Sequence, residues 1–272
     1  MEVKYNSRLM EYMIKEMSSY SRNNIKSLLK YKQVRVNGVA ISQFNHLLEK
    51  GDVIEISKFR CDDELDILYE DEYFIAINKP ANVLSVRNTR GEYTAISMIM
   101  KYVDKSNSFT TIYPLHRLDK ATSGVLLVAK DENVKKQMQN NWNEIVKVRA
   151  YYGIVDGELK KSGKIISNLT ESKDGYVYSS YEGKKAITNY KVVKKGKGYS
   201  ILDLVIETGR KNQIRVHMKE LGFPILGDMK YGEKSRKIKR LALHSYRLDF
   251  VHPITNKRIN INAKIPTDFN RF

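Results

Sequence analysis

Apolar residues recur every four positions at Leu9, Met13 and Met17, which predicts a helix with one buried face near the start of the chain. Ser21 fits the N-cap of a second helix, whose buried stripe is Ile25, Leu28 and Leu29. Val34 and Val36 then alternate with polar neighbours, and Asn37-Gly38 is a tight-turn pair, so a hairpin follows. Gly51-Asp52 leads into a strand at Val53–Ile56. The first sixty residues therefore read helix, helix, hairpin, strand.

Beyond a linker at about Lys58–Glu64 the pattern changes. Ile67–Tyr69 and Phe74–Lys79 read as two strands around an acidic turn, the second ended by Pro80. A helix is expected around Tyr93–Val103. The continuously apolar run Val125–Ala129 predicts a strand buried on both faces. Asp131 can cap a helix running to about Val146, and Arg149–Val155 reads as a further strand. Ala186–Val193 and Tyr199–Ile206 flank a turn and form a hairpin. A helix from about Gln213 to Leu221 buries Ile214, Met218 and Leu221, and Gly222 fits its C-terminal cap. The expected architecture is α+β with a mixed or antiparallel sheet. A small domain (1–60) precedes a large one (61–272), which suits the length of 272 residues.

Composition adds the partner class. The formal net charge is +17, which favours a polyanion because each phosphate neutralised by Lys or Arg releases a counterion. A merely well-solvated basic surface is the plainer alternative. Arg22, Lys26 and Lys30 share one face of the second helix, with Lys32 and Arg35 following, and like charges so spaced call for a counter-anion. The single cysteine, Cys61, allows no internal disulfide and suits a reducing cytoplasm. No apolar run approaches the ~18 residues of a membrane span. Gly-x-Gly-x-x-Gly, a P-loop and zinc-ligand spacing are all absent, so no cofactor or metal is expected.

Three clusters could carry chemistry. The first, His116–Gly124, sets Asp119 in a loop feeding the buried strand, at the rim of the core. Arg117 and Lys120 beside it favour its ionised form. An acid in a turn more often simply caps it. The second, Arg149–Gly157, puts Tyr151 and Gly153 on one strand face, leaving room above the glycine for a flat partner; a core tyrosine is the alternative. The third, Glu207–Met218, is a basic helix start whose amides could receive a phosphate, or else a charged surface turn.

In this order the three clusters resemble the RluA-type family of RNA pseudouridine synthases. The likeness continues through Leu221–Asp228, Tyr231-Gly232, Leu243–Leu248 and His252-Pro253, and spans about residues 66–270. The front of the chain, about 7–57, resembles the alpha-L RNA-binding domain of the ribosomal S-four type. The resemblance implies an isomerase that breaks the uracil–ribose bond of a uridine in structured RNA, ribosomal RNA first and transfer RNA next, and rejoins the base through carbon 5. It implies that Asp119 starts the reaction, that Arg215 pairs with Asp119, and that Tyr151 stacks on the uracil. Arg117 would hold the space the base vacates, Leu118 and Ile214 would supply apolar walls, and Arg210 and Lys211 would meet RNA. Arg22, Lys26, Lys30 and Arg35 would do so from the small domain. A monomer is expected. A non-catalytic RNA-binding protein on the same scaffold is the rival. Three departures from the family pattern stand out: Arg149 for the usual Lys, Asn82 for Gly, and Asn212 for the frequent His.

Overall fold

Local signals set the small unit. The structure, a computed structural model, describes residues 1–17, 20–30, 34–56, 65–86, 93–105, 111–232 and 238–272. The chain divides into two compact units, Met1–Glu64 and Leu65–Phe272. The first runs β1 (Ser7–Arg8), α1 (Leu9–Glu16), α2 (Arg22–Lys30), β2 (Val34–Val36), β3 (Val39–Ile41), β4 (Leu47–Leu48) and β5 (Ile54–Ile56). Asn37 and Gly38 take φ of 49° and 79°, the left-handed pair that closes a tight hairpin between β2 and β3. β5 pairs on the other side of β2. Leu9, Met13, Ile25 and Leu29 pack on Val34 and Leu48 in a single core. The short β1–β4 pairing was not legible as alternation, being two residues long. The linker Lys58–Glu64, Cys61, Lys32 and the side chain of Lys30 lie outside what the structure describes.

The second unit runs β6 (Ile67–Glu70), β7 (Phe74–Lys79), α3 (Ala95–Lys105), β8 (Tyr113–Pro114), β9 (Ser123–Ala129), α4 (Glu132–Asn140), α5 (Trp142–Ile145), β10 (Val146–Asp156), β11 (Gly163–Glu171), β12 (Val177–Ser179), β13 (Lys184–Gly196), β14 (Tyr199–Ile206), α6 (Gln213–Glu220), β15 (Leu243–Val251) and β16 (Arg258–Asn262). Its described strands form one sheet in the order β12-β11-β13-β14-β10-β15-β9-β7-β6, with β16 on β15 and β8 on β9. Pairing is antiparallel except between β15 and β9, where His244 faces Ser123 and Ser245 faces Gly124. The sheet is thus mixed, as the pattern predicted.

β9 is buried along its whole length. Val125, Leu127 and Ala129 join Phe74 and Phe250 on one side, while Leu126 and Val128 join Ile77 and Ile99 on the other. The helix expected from Asp131 to Val146 is two helices instead. Asp131 does cap the first, accepting from the Val134 amide at 2.9 Å. The second stops at Ile145 because Val146 pairs with Phe250 and starts β10. Sheet pairing there overrides the helical period.

Three buried or half-buried histidines tie these elements together as neutral rings. His217 on α6 bonds Thr188 at 2.9 Å and Ser167 at 3.0 Å. His244 on β15 bonds Ser123 at 2.8 Å. Nε2 of His116 accepts from the Leu127 amide at 2.9 Å, which a protonated ring could not do. Burial pushes all three down to about 4. The unfolded chain, with histidines near 6.5, then binds protons that the folded protein refuses between about pH 6.5 and 4. Stability therefore rises with pH across that window and is lost as pH falls. We expect the thermal midpoint to drop by at least roughly 5 °C from pH 7 to pH 5 in a calorimetric series. A flat profile would contradict the neutral assignments.

Candidate active site

The loop His116–Lys120 enters β9 at the one parallel junction of the described sheet, and four contacts position it. The Ser85 hydroxyl donates to the Leu118 carbonyl at 2.9 Å and accepts from the Leu118 amide at 3.0 Å. Lys79, fully buried, donates to the carbonyls of Pro80 (2.8 Å), Val83 (2.7 Å) and Lys120 (3.4 Å). Burial pushes its amine down to about 7, against the pull of the Asp119 charge. His116 anchors the loop to β9 as described. Gly124 takes φ of 113°, and a Cβ there would lie 2.0 Å from the Ser245 carbonyl oxygen, so only glycine lets β9 meet β15.

Asp119 projects from this loop with its side chain 23% exposed, and Nη1 of Arg215 lies 3.5 Å from its Oδ2. Arg215 comes from α6, which starts directly after the turn that follows β14. Its close partner, however, is Asp228. Nε and Nη2 donate to the two Asp228 oxygens at 2.8 and 2.7 Å, in a bidentate fork. Nη1 also donates to the Asn212 side-chain oxygen at 2.9 Å, and the guanidinium lies 5.1 Å from the centre of the Tyr231 ring. The expected Arg215–Asp119 pair is therefore the outer contact of a cation already held by Asp228. Burial pushes the Asp228 carboxyl up, but the hydrogen bonds and charge of Arg215 outweigh it and hold the group below the ordinary carboxylate range.

Tyr151 lies on β10 between Leu204 of β14 and Ser245 of β15, beside a bulge in the β10–β15 register. Burial pushes its phenol up to about 12, so it keeps its proton at neutral pH. The space expected above Gly153 is not open. A Cβ there would meet Leu204 at 2.5 Å, because β14 packs its core residues against that position.

Asp119, Tyr151 and Arg215 line one cavity of about 470 Å³. Leu118, Ile214, Arg117, Arg210 and Lys211 line it too. Of these, Arg210 donates to the Lys185 carbonyl at 3.0 Å and Lys211 pairs with Glu171. Arg22 and Lys26 are exposed and Arg35 half-exposed, all in the other unit. The departures find places as well. Asn82 takes φ of 65°, a left-handed turn residue, and Asn212 takes φ of 54° at the start of α6. The buried Asn212 amide serves Arg215 and the Tyr231 hydroxyl, to which it donates at 3.1 Å. The guanidinium at position 149 donates to the Glu207 carbonyl at 2.6 Å.

Asp228, Lys79, Ser85 and Trp142 were not singled out from the sequence. The Gly-Asp pair at 227–228 was noticed only as part of a longer likeness, and nothing local marks it as the partner of an arginine thirteen positions earlier.

A carboxylate at a cavity rim beside a fixed guanidinium and a protonated tyrosine is suited to nucleophilic or proton-transfer chemistry. Comparison with known proteins gives the class. The RNA pseudouridylate synthase family matches residues 73–220. The Bacillus subtilis RNA pseudouridine synthase YhcT is 31% identical over 94% of this chain and 89% of its own. Ribosomal large subunit pseudouridine synthase D of Haemophilus ducreyi is 30% identical over 96% of this chain and 88% of its own. tRNA pseudouridine synthase C of Vibrio parahaemolyticus is 34% identical over 74% and 91%. Human RNA Pseudouridylate Synthase Domain Containing 4 shares the fold, with a TM-score of 0.62 at 23% identity over 75% of this chain and 90% of that one. The chain belongs to the RluA-type family of RNA pseudouridine synthases, isomerases that act on RNA.

Proposed function

We propose that the enzyme converts one specific uridine of structured RNA to pseudouridine, with Asp119 starting the reaction. Ribosomal RNA of the large subunit is the first choice. The relative named for that substrate aligns with 96% of the chain, small unit included, whereas the one named for transfer RNA aligns with 74%. The observation that carries the reading is the convergence of Asp119, Tyr151 and Arg215 on one cavity. The Asp119 carboxylate attacks the sugar carbon or removes a ribose proton to give a glycal, and the uracil N1–ribose bond breaks. The base turns and rejoins through carbon 5, a step that displaces Asp119 from the sugar on the first route or returns the ribose proton on the second. Carbon 5 then gives up its proton and N1 takes one. Tyr151 stacks on the uracil, Leu118 and Ile214 wall it, and Arg117 fills the gap left in the RNA. Extrusion of the base costs roughly a few kcal/mol. Substrate and product have the same composition and oxidation level, so the isomerisation needs no cofactor. The enzyme works as a monomer in the cytoplasm. Among the described residues no helix is long and apolar enough to cross a membrane.

The small unit is an alpha-L RNA-binding domain in this reading, with Arg22, Lys26, Lys30 and Arg35 on phosphates. Deleting residues 1–60 is expected to weaken RNA binding at least about tenfold, and more than it slows turnover at saturating RNA. Filter binding with matched kinetics measures both, and an unchanged affinity removes that role from the domain. The overall reading is tested by incubating the protein with total RNA from a strain lacking its gene and mapping pseudouridine. No new modified position would favour a non-catalytic RNA-binding protein.

A further inference from the structure

We propose that the cavity holds a second nucleotide beside the target uridine, its phosphate on Arg149 and its base on Trp142. The proposal rests on reading Asp119, Tyr151 and Arg215 as the uridine site. Those three residues account for only part of the lining. The same cavity is lined by Arg149 and by Trp142 and Asn143 of α5, and its roughly 470 Å³ is more room than one pyrimidine ring fills.

Arg149 stands two residues before Tyr151 on β10, roughly 7 Å along the strand. An RNA strand whose uracil lies on Tyr151 brings its adjacent phosphodiester within reach of that guanidinium. Arg149 is half-buried and donates to one carbonyl, that of Glu207, and among the described residues no carboxylate pairs with it. Burial accordingly pushes it down. A partly desolvated cation lacking a counter-charge is stabilised by an anion, and the planar fork of arginine matches phosphate oxygens. Gly209 lies alongside, where a Cβ would come 2.9 Å from Nη1 and push the guanidinium aside.

Trp142, the only tryptophan of the chain, is half-buried. One side rests on the His116 ring, with centroids 5.5 Å apart and planes tilted by 41°. That ring is neutral, so His116 places no charge on the indole, which also contributes surface to the cavity. Asn143, exposed beside it, has an amide able both to donate to and to accept from a base edge. An aromatic platform next to an unpaired arginine is the arrangement that holds a nucleotide of single-stranded RNA. Its occupant is the neighbour of the extruded uridine, so the subsite sets sequence preference at that position.

The test uses the ribosomal or transfer RNA fraction in which the wild-type enzyme makes pseudouridine. If neither fraction is modified, the underlying reading fails and not the subsite. With an active fraction, Trp142→Leu and Arg149→Gln are each expected to raise KM about tenfold, the stacking worth of about one base. Their kcat should change less than about threefold, and Trp142→Phe and Arg149→Lys should recover most of the loss. A fall in kcat at unchanged KM, or no recovery by the conservative changes, overturns the proposal. Should Trp142→Leu fail to fold, the emission of the lone tryptophan decides. Adding the same RNA to full-length Asp119→Asn should quench it in step with filter binding, and unchanged emission with RNA bound overturns the subsite.

Discussion

Asp119→Asn is expected to bind RNA as the native enzyme does and to lose at least about a thousandfold in turnover. The side chain is nearly isosteric, so the loop held by Ser85, Lys79 and His116 has no steric reason to move. Arg215 also keeps its place, because its short contacts run to Asp228 and Asn212 and its contact with Asp119 is the long one at 3.5 Å. What disappears is the negative charge that either route requires. An amide oxygen is too weak a nucleophile to open the glycosidic bond and too weak a base to take a ribose proton. The measurement is pseudouridine formed per enzyme in RNA from a strain lacking the gene, alongside filter binding of the same RNA. Appreciable turnover in Asp119→Asn would take the residue out of its role, and lost binding would make it a structural contact.

The parts of this site that could be read without the fold are those written in consecutive residues. The apolar run of β9 announced a doubly buried strand, and Asn37-Gly38 announced a hairpin, because each signal is local. Asp119, Tyr151 and Arg215 were connected only by the order of motifs. What joins them physically is the parallel junction of β15 with β9 and the placing of β10 beside β15, pairings between residues ninety or more positions apart. The Gly153 expectation failed for the same reason. Alternation shows which way a side chain points but not what the next strand sets against it, and here that is Leu204. Lys79 looked like an ordinary lysine before a proline. Only the fold shows its amine collecting three carbonyls beneath the Asp119 loop. Asn212 stands where the family pattern often has His. In place its backbone takes the left-handed turn before α6 and its amide steadies the guanidinium, a role its short side chain can fill.

Asp228→Asn is expected to cost about 3–5 kcal/mol of stability and at least about a hundredfold in kcat, although Asp228 lines no part of the cavity. The carboxylate is completely buried, bonds Arg215 through both oxygens, and also accepts from the amides of Lys230 at 2.9 Å and Tyr231 at 3.1 Å. Removing its charge leaves a mostly buried guanidinium whose remaining anionic neighbour is Asp119. Arg215 would then be drawn from a fixed position 3.5 Å away into direct contact with the reacting carboxylate. Such a contact ties up the oxygen needed for attack and stabilises its ground state, so the loss falls on kcat more than on KM. The pH dependence separates this from simple unfolding. Arg215 holds Asp228 below the ordinary carboxylate range, so in the native protein the pair contributes fully above about pH 5 and is lost as pH falls through the depressed value. In Asp228→Asn that acid-side loss is absent, and the stability difference between the two proteins should be constant above about pH 5 and shrink below it. Urea titrations at several pH values with kinetics at neutral pH check both halves. A stable variant with native kcat would mean that α6 alone, and not Asp228, aims Arg215 at Asp119.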